Sequence, residues 1–305
     1  MHLEYSVFDA HCDTLDVLTE DAGADFPGHF TLTGAKQYKS YTQVMALFND
    51  SSIHKNPYLR TCELIRKYYD IKKKYNFKTV LTKEDLTFEG VKTILGIEGG
   101  EAIGNDIDKV AEFYNLGVRI IGLTWNTPNL LCGTNTQSGR GTGLTKLGRA
   151  VAEKIDELSM VIDVSHMSEE GFYDIAERAK NPFIASHSNS KKICPHSRNL
   201  TDEQFKTLCR AGGVAGINFY PLFLGKDASV DTIICHIEHF MALGGEENIG
   251  IGSDFDGIDT LPRGIKNCGD IYLIFEKLLG LNYTEEQVKK IAYNNFYNLF
   301  HKILK

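Results

Sequence analysis

Histidines and acidic residues in this 305-residue chain occur directly after short apolar segments. The first example is Asp9-Ala10-His11-Cys12-Asp13, in which His11 and Asp13 are two residues apart. Side chains at that spacing on a strand point to the same side, while Cys12 points away. An imidazole beside a carboxylate can bind a divalent metal ion. Alone, the pair is more typical of a hydrogen-bonded surface pair, so the other segments decide.

Four further residues with metal-binding or acid–base side chains follow later apolar segments: Glu98, His166, His187 and Asp254. Buried ionisable groups are costly unless they are paired or metal-bound, so three histidines and three acids at one place favour a metal centre. One zinc ion takes about four ligands. A carboxylate shared by two ions accounts for the surplus, and Glu98 is the candidate for that bridge.

The elements that must position these residues alternate along the chain. Short apolar runs are predicted strands: Tyr5–Ala10, Val44–Phe48, Val91–Ile97, Val118–Leu123, Met160–Val164, Phe183–Ser186, Val214–Phe219 and Ile249–Gly252. Amphipathic segments lie between them, and Thr145, Ser168 and Thr201 are predicted helix N-caps. Two long loops, Asp21–Tyr38 and Asn126–Gly143, follow the first and fourth strands.

This alternation predicts an α/β fold, a (β/α)8 TIM-type barrel, with closing helices over Thr284–Leu304. A doubly wound sheet is the alternative, weakened because no GxGxxG motif follows the first strand. Active sites of such barrels lie at the face formed by the carboxyl ends of the strands, and the histidines and acids follow those ends in the sequence. No repeat or linker marks a boundary, so residues 1–305 are predicted to form a single metal-dependent hydrolase domain.

Composition limits the classes of function. The formal net charge is −7, from 33 basic and 40 acidic residues, which argues against a nucleic-acid partner. Seven cysteines without a close pair are typical of reduced thiols. A signal peptide is not evident and no apolar run is long enough for a bilayer, so we expect a cytoplasmic protein without a membrane partner.

The sequence resembles the renal (membrane) dipeptidase family, a branch of the amidohydrolase-like metal-dependent barrels. The matching motifs run in family order over most of the chain: Asp9-Ala10-His11-Cys12-Asp13, Gly96-Ile97-Glu98-Gly99-Gly100, Asn115-Leu116-Gly117-Val118-Arg119, Gly143-Leu144-Thr145, Ile162-Asp163-Val164-Ser165-His166-Met167-Ser168, Ser186-His187-Ser188-Asn189, Ser197-Arg198-Asn199-Leu200, Ile217-Asn218-Phe219-Tyr220 and Gly252-Ser253-Asp254-Phe255-Asp256-Gly257.

That resemblance implies two Zn²⁺ ions per chain. His11 and Asp13 would bind one ion, His166 and His187 the other, and Glu98 would bridge them. The catalytic residues would be Asp254 and Glu98, and Asp254 would accept the proton of the attacking water.

The same resemblance implies how the substrate binds. Arg198 would hold the substrate carboxylate, and Tyr220 is a candidate for the pocket wall, with a core or rim aromatic as the alternative. The expected substrates are dipeptides with a free C-terminal carboxylate, including Xaa-D-Xaa dipeptides. The expected assembly is a homodimer.

One position departs from the family pattern. In Gly122-Leu123-Thr124-Trp125-Asn126, Trp125 stands where the mammalian enzymes have a histidine that reaches the substrate carbonyl. Indole donates a hydrogen bond but takes up no proton. Either Trp125 or Asn126 substitutes for the histidine, or the metals carry the oxyanion. Two other functions remain open: hydrolysis of a phosphoester, lactone or acyl-amide bond on the same barrel, and a non-catalytic metal-binding scaffold.

Overall fold

The computed structural model describes residues 3–18, 23 and 25–305. Its strands are β1 (Leu3–Cys12), β2 (Tyr38–Phe48), β3 (Lys78–Thr79), β4 (Gly90–Glu98), β5 (Val118–Gly122), β6 (Val161–Asp163), β7 (Ile184–Ala185), β8 (Val214–Ile217) and β9 (Ile249–Ile251). All eight predicted strands are present, and β3 is an addition. Every pairing between these strands is parallel.

The strands close into a ring. Its order is β1-β2-β4-β5-β6-β7-β8-β9, and the pairing of Asp9 with Ile251 joins β9 back to β1. The short β3 pairs with the first half of β4, through Lys78–Lys92 and Thr79–Thr93. The predicted (β/α)8 barrel is therefore confirmed, with one extra two-residue strand beside it.

Helices surround the ring. They are α1 (Thr14–Val17), α2 (Leu32–Ala35), α3 (Pro57–Tyr75), α4 (Asp108–Asn115), α5 (Lys146–Glu157), α6 (Glu169–Arg178), α7 (Asp202–Arg210), α8 (Pro221–Leu224), α9 (Val230–Ala242), α10 (Tyr272–Gly280), α11 (Glu285–Lys289) and α12 (Asn295–Ile303). Thr145, Ser168 and Thr201 each accept a backbone N–H as N-caps of α5, α6 and α7, as predicted.

The apolar core has two parts. The larger lies between the strands and the surrounding helices. The smaller fills the inside of the ring and is covered by α12, where Phe8 stacks against Phe296 and Phe300 at centroid distances of 5.3 and 5.1 Å. The predicted closing helices therefore seal one end of the barrel. The other end, at the carboxyl ends of the strands, stays open.

Two boundaries differ from the prediction. Strand β2 begins at Tyr38 rather than Val44, because Ser40, Thr42 and Gln43 are buried in it despite their polarity. Ser40 Oγ donates to the Gly90 carbonyl at 3.2 Å, so this buried polar side chain has a backbone partner on β4. The predicted loop Asp21–Tyr38 contains α2 in its described part, and residues 21, 22 and 24 lie outside the described ranges. Among the helices in those ranges, none is both long and apolar enough to cross a membrane.

Candidate metal centre and substrate cavity

Six predicted site residues converge at the open end of the barrel. His11 lies near the end of β1, Glu98 is the last residue of β4, and Asp13, His166, His187 and Asp254 follow β1, β6, β7 and β9. His166 and Asp254 have positive φ values of 71° and 63°, which non-glycine residues rarely adopt. The backbone strain at these two positions is typical of functional residues.

Glu98 stands in the middle of this cluster, with its two oxygens facing different partners. Oε2 lies 3.5 Å from His11 Nε2, whereas Oε1 lies 2.9 Å from His166 Nε2 and 3.6 Å from His187 Nε2. The two histidines face each other, with 2.9 Å between their Nε2 atoms. Gly99 continues the chain at a φ of 89°, and a Cβ there would lie 2.5 Å from the Asn49 carbonyl.

On the other side of His11 lie two more carboxylates. His11 Nε2 is 3.2 Å from Asp13 Oδ2 and 3.9 Å from Asp254 Oδ1. Asn218 Nδ2 donates to Asp254 Oδ2 at 2.9 Å, which fixes the carboxylate and leaves Oδ1 directed to the centre. Asn218 was not assigned a role from the sequence, although it lies in a family motif directly after β8.

The electrostatics of this cluster favour a bound cation. Burial opposes ionisation of Glu98, but His11 and His166 outweigh it and lower its pKa. Burial and the neighbouring Glu98 raise the pKa of Asp13 to about 7. Burial disfavours charge on His11 too, yet Glu98 and Asp13 raise its pKa well above the ordinary value. Positive charge is therefore stabilised at this position.

The residues present fit a metal site. Two overlapping groups have donor atoms within 4.8 Å of one another: His11, Glu98 and His187, and His11, Asp13 and Asp254. His11 Nε2 is buried, and its close contacts with the Asp13 and Glu98 carboxylates in the described part of the chain lack hydrogen-bond geometry. Burial lowers the pKa of His166 to about 4 and that of His187 well below its usual value, so both imidazoles are neutral, as metal binding requires.

Outer partners orient the two neutral histidines. His166 Nδ1 donates to Asn126 Oδ1 at 2.9 Å, and His187 Nδ1 lies 2.7 Å from Ser186 Oγ. A histidine whose Nδ1 carries the proton keeps the lone pair on Nε2 free for a metal ion. Asn126, predicted to contact substrate, lines the cavity described next but contacts His166 through its amide oxygen.

A cavity of about 590 Å³ leads to the cluster from solvent. Arg198 lines it with 6% of its surface exposed, and within the described residues none of its three side-chain nitrogens has a hydrogen-bond partner. An unpaired buried guanidinium is the feature expected of an anion site. The guanidinium lies 5.6 Å from the ring centroid of Phe223.

Aromatic side chains form two sides of the cavity. Trp125 packs edge-on against Phe48 at a centroid distance of 4.9 Å and is 6.1 Å from the His166 ring. Tyr220 packs edge-on against Phe223 at 5.0 Å. The sequence predicted Trp125 and Tyr220 but missed Phe48 and Phe223, since nothing distinguishes them from core aromatics in the sequence.

Neighbouring residues with reactive side chains have structural contacts instead. Asp256 accepts hydrogen bonds from the Thr14 hydroxyl and from the His29 backbone, so it holds two loops together. Cys12 is fully buried in the core, as its direction on β1 predicted. His236 on α9 is also fully buried.

A parallel barrel with histidines and carboxylates at its strand ends defines the class of metal-dependent hydrolases. Within that class, the chain belongs to the membrane dipeptidase family (peptidase family M19), which it matches over residues 1–304. The predicted family is confirmed. The chain is accordingly a hydrolase of peptide bonds, a dipeptidase of a metallopeptidase family.

Individual relatives agree with the family. The chain is 32% identical to an uncharacterized dipeptidase of Schizosaccharomyces pombe over 67% of its own length, and it spans about half (51%) of that relative. Its structure resembles dipeptidase AC, a metallopeptidase of family M19, with a TM-score of 0.88, 26% identity and 99% of each chain covered. It shares its fold with a metallopeptidase from Rhodobacter sphaeroides liganded with a phosphinate mimic of the dipeptide L-Ala-D-Ala, with a TM-score of 0.85, 24% identity, and 99% and 100% of the two chains covered.

Proposed function

We propose that this dipeptidase uses two zinc ions, one held by His11 and Asp13, the other by His166 and His187, with Glu98 shared between them. The observation that carries the proposal is the position of Glu98, whose two oxygens face His11 on one side and His166 on the other. Zinc ions at these side chains would lower the pKa of water to about 7 and polarise the scissile carbonyl.

Asp254 is the proposed proton acceptor and donor. Its Oδ2 is held by Asn218, so Oδ1 is the oxygen available to take a proton from the attacking water and pass it to the leaving amine. Burial raises the pKa of this carboxyl, ahead of the opposing influence of His11. A carboxylate held by a neutral amide keeps its orientation through both proton transfers.

Arg198 is the proposed site for the substrate's free carboxylate. The ion pair would satisfy a guanidinium that is otherwise buried without a partner, and this favours substrates whose carboxylate lies one residue from the scissile bond. Tyr220 and Phe223 flank this end of the cavity. The proposal extends to Xaa-D-Xaa dipeptides, which the L-Ala-D-Ala mimic bound to the Rhodobacter protein supports.

Trp125 is proposed to contact the N-terminal residue of the substrate. Its ring is next to His166 and packs on Phe48, so it offers an apolar surface rather than a proton-transfer group. Asn126 is proposed to orient His166, and not to take the place of the missing family histidine at the substrate carbonyl. Stabilisation of the negative charge on the carbonyl oxygen would then come mainly from the bound metal ions.

The direct test is hydrolysis of a dipeptide panel by zinc-loaded enzyme, with metal content measured in the same samples. We expect about two zinc ions per chain. Asp254→Asn should lower kcat at least about 100-fold while substrate still binds. Full turnover by this variant would show that the proton is handled elsewhere.

Arg198→Ala tests the carboxylate site separately. We expect KM to rise for free dipeptides and to change little for the same dipeptides amidated at the C-terminus. Equal losses on both substrates would contradict the assignment. Phosphodiester, lactone and N-acyl substrates belong in the same panel, because an anion site also suits a phosphate. A chain that binds metal but cleaves none of these substrates would point to a non-catalytic scaffold.

Three further proposals concern the whole chain. Residues 1–305 form a single domain, a proposal supported by the pairing of the first strand, β1, with β9, the last strand in the described residues. The protein is cytoplasmic, which its seven free cysteines support. It assembles as a homodimer, as the family resemblance implies; light scattering with size-exclusion chromatography measures the mass directly.

A further inference from the structure

Asp9 is a buried carboxylate that joins two strand ends without entering the metal cluster. Its Oδ1 accepts from the backbone N–H of His11 at 3.4 Å and from that of Ser253 at 2.9 Å. Its Oδ2 accepts from the hydroxyl of Ser253. Ser253 Oγ in turn accepts from the backbone N–H of Phe255 at 3.2 Å. The Asp9–Ser253 pair therefore fixes the backbone on both sides of Asp254 and at His11.

Asp163 is the corresponding carboxylate between β6 and β7. Its Oδ1 accepts from the backbone N–H of Ser165 at 3.0 Å and from that of Ser186 at 2.9 Å. Its Oδ2 accepts from the hydroxyl of Ser186. The Asp163–Ser186 pair thus joins the segment before His166 to the segment before His187.

The two pairs have the same geometry. In β1 and β9 Asp9 is opposite Ile251, and in β6 and β7 Asp163 is opposite Ile184, so each serine lies two residues beyond the register partner of its aspartate. Each serine directly precedes a site residue, Asp254 or His187. The repeated register on separate strand pairs is not needed for packing alone, because among the described residues the other strand pairs of this ring are joined without such an aspartate–serine pair.

Hydrogen-bond directions give the Asp163–Ser186 pair a chemical role. A serine hydroxyl has one hydrogen, and Ser186 donates it to Asp163. Toward His187 Nδ1, 2.7 Å away, Ser186 Oγ is therefore an acceptor. Nδ1 must carry the imidazole proton, and the lone pair of Nε2 faces the cluster.

We propose that the two pairs position the two halves of the metal centre independently: Asp163–Ser186 holds the half formed by His166 and His187, and Asp9–Ser253 holds the half formed by His11, Asp13 and Asp254. The inference rests on the proposed two-ion function. These four are positioning residues, since they act through the ligands and touch neither substrate nor metal.

The test uses Ser186→Ala and Ser253→Ala in the 305-residue chain loaded with ¹¹³Cd²⁺, whose NMR shift reports the ligands of each ion. Each variant should alter the resonance of its own half and leave the other unchanged. Competition with a chelator should show one of the two ions weakened about 10- to 100-fold, as for other outer partners of metal ligands. The double variant should weaken both.

Ser40→Ala is the matched control. Ser40 is a buried serine outside the cluster, and its hydroxyl accepts a hydrogen bond from Lys92 Nζ at 2.7 Å. It should retain both resonances and both affinities. If Ser186→Ala fails to fold, Asp163→Asn keeps the volume and removes the acceptor of the Ser186 hydroxyl. Asp163→Asn combined with Ser186→Ala should cost no more than the larger single change, since both remove one interaction.

Loss of both ions to a similar extent in either single variant would overturn the inference, because it would indicate general destabilisation. Unchanged affinities in both variants would overturn it too. A protein that binds two ions with this selectivity but cleaves no dipeptide would instead contradict the proposed function alone.

Discussion

Gly257 shows how closely individual atoms approach one another at this site. A Cβ placed on it would meet the carboxylates of Asp13 and Asp254, so the position has no room for any side chain. The sequence identified both carboxylates but gave no reason for the glycine three residues after Asp254. A glycine here lets the loop pass directly over these two carboxylates.

Gly257→Ala is therefore expected to displace Asp13 and Asp254. It should lower kcat/KM for dipeptides at least about tenfold, which corresponds to a rise of about 1.4 kcal/mol in the activation free energy. Zinc affinity should fall as well. Gly280→Ala is the matched control, because a Cβ there meets nothing within 4 Å. Steady-state kinetics and metal titration of the two variants measure the difference; full activity in Gly257→Ala would contradict the crowding.

Residue identity predicted the site better than residue contacts. The alternation of apolar runs with His11, Glu98, His166 and His187 was enough to place these side chains together. Asn126 could be named from the sequence but its contact with His166 could not, because the contact depends on how the loop after β5 folds back. Phe48 was missed, since its role depends on packing against Trp125.

At the scale of elements, α9 supports the loops of the open end through a buried histidine. His236 Nδ1 accepts from the Ser190 backbone at 3.1 Å, and Nε2 donates to the Leu224 carbonyl at 3.1 Å. One ring nitrogen accepts and the other donates, so the imidazole is neutral. Burial, more than the neighbouring His239, lowers the pKa of His236 to about 4.

This predicts a pH dependence of stability. The unfolded histidine takes up a proton below about pH 6.5 and the folded one only near pH 4, so the free energy of unfolding falls as pH drops between these values. The loss attributable to His236 is on the order of 3 kcal/mol. Urea unfolding of the wild type and His236→Asn between pH 4 and 7.5 measures it as the difference in slope.

The variant should show a flatter profile in that range, whereas His301→Asn, at an exposed position of α12, should follow the wild type. Parallel profiles for His236→Asn and the wild type would mean that the folded protein protonates this histidine over the same pH range as the unfolded chain, which would contradict the prediction. Activity measured at pH 7.5 should differ little between these variants per folded molecule.

Elements were predictable where apolar residues are continuous and less so where polar side chains are buried. The eight barrel strands and the N-caps at Thr145 and Thr201 follow from local sequence. The first half of β2 does not, because the Ser40 hydroxyl and the Gln43 amide nitrogen donate to backbone carbonyls of neighbouring strands. Such partners are distant in sequence, so no local pattern reveals them.

At the scale of the whole molecule, stability and chemistry lie at opposite ends of the barrel. Phe8, Phe296 and Phe300 fill the closed end, while the charged cluster occupies the open one. The class of fold was predictable from the order of elements. The closing helices over Thr284–Leu304 were predictable too, but the contacts of Phe296 and Phe300 with Phe8 were not, because they depend on how α12 packs over the ring.

Phe300→Ala should lower the free energy of unfolding by about 3–5 kcal/mol, since Phe300 is fully buried and the cavity left behind has no other filler. The activity of the molecules that remain folded should be unchanged. Leu281→Ala, at a position with 42% exposure, should stay within about 0.5 kcal/mol of the wild type. Urea denaturation and kcat of the same preparations decide; a loss of kcat without a loss of stability would contradict this separation.

The closure of the ring between β9 and β1 also sets an order of assembly. The backbone N–H of Asp13 donates to the Phe255 carbonyl at 2.8 Å, a contact between residues from nearly opposite ends of the chain. Glu98, His166 and His187 come from a continuous middle stretch, whereas His11 and Asp254 meet only when the late strand joins the first one. Contacts of such long range form slowly. We therefore expect His11 and Asp254 to come together later in folding than Glu98, His166 and His187.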